Sequence, residues 1–248
     1  MHRVPIDTPS HDFIAAWSAA GSHLQSCIPD GSLVWLKARL EPPFLEHLSF
    51  RIGNQLFFVR LEAEDGSLEV PGSREGLEQI ARGCKGHACL LTMRATGGEW
   101  RPTRPAWGLT ALDSGAAIDP PAMATDQQLE MTDWEVHDFA VQTVRNVLEE
   151  EGRRVMSSQG NPSVDPSIWF VGDSGPEWVV VRVVRYPASK ATRPATWESI
   201  SRSCGSISST GHFASVSIAS KDQDFDEAAS ATPLWRGHGM YVSYQGLS

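Results

Sequence analysis

Phe57-Phe58-Val59-Arg60-Leu61 and Val179-Val180-Val181-Arg182-Val183 decide how this chain reads. Each is an apolar run broken by one arginine. Each leads into a helix-spaced segment that ends in cysteine (Cys84, Cys204). A Gly-His pair then opens another apolar run: Gly86-His87-Ala88 in the first case, Gly211-His212-Phe213 in the second. Further on, Trp100-Arg101 is echoed by Trp235-Arg236. The order of these words is the same in both halves. A period of about half the chain specifies two similar supersecondary units rather than a stacked solenoid.

The intervening segments fill in the units. Residues 10–27 place Phe13, Ile14, Trp17, Leu24 and Cys27 at helical spacing, with Pro29 as the stop. Residues 33–40 read as a strand. Residues 48–52 and 56–62 read as a hairpin around Gly53-Asn54. Ser73 is placed to cap a helix bearing Leu77, Ile80, Ala81 and Cys84, and residues 87–93 form a final strand. In the second half Thr132 and Glu135 have capping-box spacing. The helix they open carries Trp134, Val141, Val144 and Leu148 and stops at Gly152. Strands follow at 154–157, 168–171 and 178–184, the last two joined through Gly172-Asp173-Ser174-Gly175. Trp197, Ile200 and Cys204 repeat the spacing of Leu77, Ile80 and Cys84, and strands at 212–219 and 234–244 complete the half.

The expected fold class is therefore α+β: two similar α-β-β-β-α-β units with central mixed or antiparallel sheets. The expected units are residues 1–124 and 125–248. Residues 95–126, rich in Gly, Pro and Thr, are expected to form a linker between them. Residues 179–184 should be buried on both faces, with Asp165 as the partner of Arg182.

Composition narrows function by exclusion. The chain has 248 residues, 41% of them hydrophobic and 21% charged, which is ordinary for a globular protein. No apolar stretch is long enough to span a bilayer. Met1-His2-Arg3-Val4-Pro5-Ile6-Asp7 has no apolar signal core, so a cytoplasmic location is expected. The net charge of −9 opposes nucleic acid and favours a basic partner. The four cysteines show no disulfide framework, and Cys84-Lys85-Gly86-His87-Ala88-Cys89 lacks the paired spacing of a zinc site. Neither metal nor cofactor is expected.

Asp165-Pro166 at the start of one strand and Val180-Val181-Arg182 on the next carry a resemblance. Together with the α-β-β-β-α-β order they resemble the PD-(D/E)XK superfamily, the restriction-endonuclease-like fold. That resemblance implies an Asp on one strand and an acid-x-Lys on the next, holding Mg²⁺ beside a scissile phosphate. Here the position two before Arg182 is Val180. In the first half Glu46 stands where Asp165 does. A metal-dependent nuclease would have to use Asp165 with Glu177 or Glu135, and Arg182 as the cation. Strand alternation places residues 177 and 182 on opposite faces.

The reading that fits best is a non-catalytic protein-binding protein, specifically an immunity protein that neutralises a basic, nuclease-type toxin, and resembling the type VI secretion immunity proteins. A divergent Mg²⁺-dependent nuclease and a secretion chaperone are the alternatives. The protein itself would be a monomer or homodimer. Acidic residues Glu62, Glu64, Asp65 and Glu69, and Asp222, Asp224, Asp226 and Glu227, are the expected contact patches. Trp100, Trp107 and Trp235 are either exposed anchors of that contact or caps on the ends of the sheet, while Trp17, Trp134 and Trp197 are expected in the core.

Overall fold

The computed structural model describes residues 9–28, 31–40, 47–226 and 230–248. Contacts divide the chain into two compact units, Pro5–Gln127 and Gln128–Ser248. Pro29, Glu46 and Glu227 lie outside the described residues. Among the described residues no helix is long and apolar enough to cross a membrane.

In the N-terminal unit the Ser10 hydroxyl accepts from Phe13 N–H at 3.1 Å and starts α1, His11–Ser26. Its buried stripe is Phe13, Ala16, Ala20 and Leu24; Ile14 is exposed and Trp17 half-buried. Strands β1 (Leu33–Lys37), β2 (Leu48–Ile52) and β3 (Gln55–Ala63) pair antiparallel in sequence order, with Gly53-Asn54 as the β2–β3 turn. Helix α2 (Arg74–Gly83), capped by Ser73, crosses to β4 (His87–Thr96), which lies parallel to β3. Phe57, Val59 and Leu61 enter the core that includes α1, while Leu56 and Phe58 are buried outside that cluster, as strand alternation requires.

The stretch expected to be a linker belongs to this sheet. Strand β4 continues to Thr96, turns at Gly97 and Gly98 with φ of 61° and 85°, and returns as β5 (Glu99–Pro102). Strand β6 (Leu109–Ala111) pairs the same edge of β4 nearer its start, and the short helix α3 (Pro120–Met123) follows. A pair of glycines tolerates the positive φ that a two-residue hairpin demands, so this Gly-rich segment is a turn rather than a spacer.

The C-terminal unit repeats the plan. Thr132 and Glu135 form a complete capping box on α4 (Asp133–Glu150). The helix ends in a Schellman motif: Gly152 N–H reaches Glu149 O, Arg153 N–H reaches Leu148 O, and Gly152 takes φ 78°. Its buried residues are Val136, His137, Ala140, Val141, Val144 and Leu148, with Trp134 only half-buried. Strands β7 (Arg154–Ser158), β8 (Ile168–Gly172) and β9 (Gly175–Arg185) are antiparallel neighbours. Helix α5 (Trp197–Cys204) crosses to β10 (Gly211–Ser220), parallel to β9, and β11 (Met240–Tyr244) forms the far edge antiparallel to β10. Trp178, Val180, Ile200, Cys204 and Phe213 share one core, against which Trp197 packs half-buried. Val179, Val180 and Val181 are wholly buried, whereas Val183 and Val184 keep partial exposure.

Both sheets carry a bulge at the same place on the first strand, between Trp35 and Lys37 and between Val155 and Ser157. They differ in register by two residues. Counted from the hairpin turn, Val59 and Val179 correspond, since they pair with Leu48 and Ile168. Counted across the parallel pair, Phe57 and Val179 correspond, since they sit opposite His87 and His212.

Candidate functional site

The carboxylates that a nuclease would use are each held by a different partner. Asp165 lies just before β8, and its two oxygens accept from the Arg182 guanidinium at 2.9 and 2.6 Å. Arg182 also donates to Val181 O at 2.8 Å. The pair is thus the structural one expected from an arginine inside a buried run. Glu177, on β9, is bonded to His212 on β10 at 2.7 Å. Glu135 accepts from Thr132 N–H at 2.9 Å and from Arg236 at 2.9 and 3.0 Å. The Glu135–Arg236 pair is the most enclosed of the three, with side chains 10% and 2% exposed. Among the described residues no group of three or more His, Cys, Asp or Glu is gathered to hold a metal ion.

His137 lies beside this network. It is 4% exposed, and its Nε2 has no hydrogen-bond partner. Burial pushes its pKa down and the Arg182 charge adds to that, while Asp138 and Asp165 pull the other way. Asp138 accepts from Gln142 at 2.7 Å and fits against Gly160, where a Cβ would come 1.8 Å from Oδ1. His87 and His212, matched in sequence, are matched in geometry too. Each bonds a side chain on the neighbouring strand, Gln55 at 3.0 Å in one case and Glu177 at 2.7 Å in the other. These are side-chain bonds across the parallel pair.

The expected contact residues separate sharply. Trp107 is not an exposed anchor: it is 7% exposed and stacks on Phe50 with ring centroids 6.0 Å apart. Positive φ at Ala106 (55°) and Gly108 (69°) folds the flanking loop so that the indole turns inward. Trp100 packs half-buried on the same core, and Trp235 is half-buried beside the bridge it forms with Glu130. The first acidic patch is largely neutralised. Glu62 pairs with Arg74 (2.8 Å) and Arg60 (3.0 Å), bonds that hold its carboxyl below the usual range. Glu64 pairs with Arg94, Asp65 accepts from Ser67 N–H at 3.0 Å in a turn, and Glu69 stays exposed. The cause is arginines brought in from α2 and β4, which sequence proximity does not reveal.

The second acidic segment keeps its character. Asp222, Asp224 and Asp226 are exposed, and His238 bonds Asp222 at 3.1 Å. It also holds a residue that sequence reasoning passed over. Phe225 is 54% exposed, set edge-on to Tyr186 (5.2 Å) and to Tyr241 (5.8 Å). A single large aromatic in a segment otherwise of Asp, Gln, Glu, Ala and Ser was the available signal. In the N-terminal unit an open groove of about 500 Å³ is lined by Ser22, His23, Trp100, Arg101 and Arg104. It is too open to enclose a small ligand.

Residues 134–248 match a family model described as Domain of unknown function (DUF8840), a span that lies within the C-terminal unit. No curated protein and no solved structure matches the chain.

Proposed function

We propose that this is a cytoplasmic binding protein that neutralises a basic toxin or effector domain, in the manner of the immunity proteins of type VI secretion. One observation carries the reading. Exposed Phe225, flanked by Tyr186 and Tyr241, stands in a loop with Asp222, Asp224 and Asp226. Large aromatics left half in water are the residues on which interfaces concentrate their energy. Acidic side chains around them steer a basic partner and exclude an acidic one. Asp165, Glu177 and Glu135 are each held by a separate side chain, Arg182, His212 and Arg236, which supports structural work for those carboxylates.

The test compares two baits in the native cell, wild type and Asp222→Asn/Asp224→Asn/Asp226→Asn. The expected result is one basic partner retained by wild type, released by added salt, and retained poorly by the triple variant. Co-expression with wild type should suppress that partner's toxic activity, and the variant should suppress it less. Equal retention by both baits, or a partner whose activity wild type does not suppress, overturns the proposal.

A further inference from the structure

We infer that β11 is a docking edge that takes an extended, basic segment of the partner as an additional strand of the C-terminal sheet. The inference rests on the binding reading above and specifies how the contact is made.

The edges of the two sheets are not alike. The first strand of each sheet, β1 and β7, is interrupted by a bulge, and β5 ends in Pro102. Bulges and prolines are devices that keep an edge from accepting another strand. Strand β11, Met240-Tyr241-Val242-Ser243-Tyr244, has neither, carries no charge, and pairs with β10 in unbroken register over its whole length. Among the described residues no strand pairs its other side. Its exposed residues include Tyr241 (50%) and Val242 (39%).

The polarity of the ladder identifies the free backbone groups. Lys221 N–H donates to Gly239 O at 2.8 Å, which sets odd-numbered residues toward β10. In an antiparallel pair the alternate residues turn away. The N–H and C=O groups of Met240, Val242 and Tyr244 therefore line the outer edge, a ready template for main-chain pairing.

Side chains select the occupant. Tyr241 touches Phe225, so an added strand meets the aromatic cluster on that face. The adjoining loop presents Asp222, Asp224 and Asp226, with Lys221 at its head. A net charge of −9 disfavours a second copy of the chain on the same edge. A segment alternating apolar and basic residues satisfies both the aromatic face and the acids.

The probe is a capped synthetic peptide of alternating lysine and valine, titrated at low salt onto wild type, Val242→Pro, Val242→Thr and the triple Asp→Asn variant. Proline at 242 removes only an outward donor, so the β10–β11 ladder survives, which an unchanged unfolding midpoint verifies. Threonine keeps both shape and donor. Wild type and Val242→Thr should bind alike, and Val242→Pro should bind about tenfold more weakly or worse. Amide exchange of wild type with peptide should slow at Met240, Val242 and Tyr244, a readout that stands even if Val242→Pro folds poorly. Binding that Val242→Pro retains, or binding without protection of those amides, overturns the added strand. If the triple Asn variant loses that same binding, the acidic–aromatic surface still stands. Failure of wild type to bind the peptide overturns the strand, and the fate of the binding reading is then decided by the two-bait capture. Protection of the three amides in a wild-type dimer without peptide assigns the edge to a second copy and overturns the inference too.

Discussion

Glu135 and Arg236 should be the costliest polar pair in the C-terminal unit to break. Two bonds of 2.9 and 3.0 Å join them, and their side chains are 10% and 2% exposed. Glu135 has a second duty, accepting the Thr132 N–H in the capping box. Arg236→Met leaves a carboxylate in a site built to be neutralised, and Glu135→Gln leaves the guanidinium in the same position. Either should cost about 3–5 kcal/mol, the usual consequence of an uncompensated buried charge. Thr132→Ala, which loses only the cap, should cost about 1 kcal/mol. With an m-value near 2 kcal/mol/M, about 4 kcal/mol lowers a urea midpoint by about 2 M. The assay is a urea titration of the full chain followed by far-ultraviolet dichroism and tryptophan fluorescence. The loss should fall on the transition that reports buried Trp178. The double variant should cost well under the sum of the singles, with a coupling of about 2–3 kcal/mol. A single variant costing less than about 1 kcal/mol, or strict additivity, refutes the claim that the pair is mutually dependent.

Gly211→Ala puts a Cβ 2.0 Å from the Trp178 ring, which is 1% exposed and cannot retreat, so a loss of about 2–3 kcal/mol should appear as a lowered melting temperature. Gly86→Ala, which meets Phe58 Cε2 at 2.7 Å and Leu56 O at 2.9 Å, should do the same to the N-terminal unit. Val181→Asp puts a charge at a wholly buried site in β9, and a cost of about 4 kcal/mol or more should leave the variant insoluble or molten by dichroism. Since burial depresses the His137 pKa, the unfolded chain takes up that proton more readily than the folded one. Stability of the C-terminal unit should therefore decline as pH drops below about 6.5 and level off below the folded value. Urea midpoints across that range should show the decline in wild type and a shallower one in His137→Leu.

Local signals made most of the architecture readable. Ser10, Ser73 and Thr132 start their helices, Gly152 stops one, and the two hairpin turns fall where Gly53-Asn54 and Gly172–Gly175 place them. Residues 95–126 were misread because Gly97-Gly98 looks the same in composition whether it is a spacer or a tight turn; only pairing with β4 distinguishes them. Side-chain partnerships were less accessible. Arg182 with Asp165 followed from a charge that had to be neutralised inside an apolar run. Arg236 with Glu135 spans 101 residues, and Arg74 and Arg94, which pair with Glu62 and Glu64, come from α2 and β4. For Trp107 the anchor and the packed readings stay open in the sequence, because loop composition says nothing of which way the backbone turns an indole.

The register step between the two sheets limits how such a pair of halves can drift apart. Displacing a strand by one residue would exchange its two faces and put Val180 where Val181 packs, so only even steps are open. Divergence in this architecture therefore proceeds by jumps, and no single superposition of the halves is correct on both sides of β9. Trp178 has Phe58 as its counterpart through the hairpin and Leu56 through the helical crossover, and Gly86 lies against both. A substitution carried from one half to the other has to be chosen for one neighbouring strand at a time.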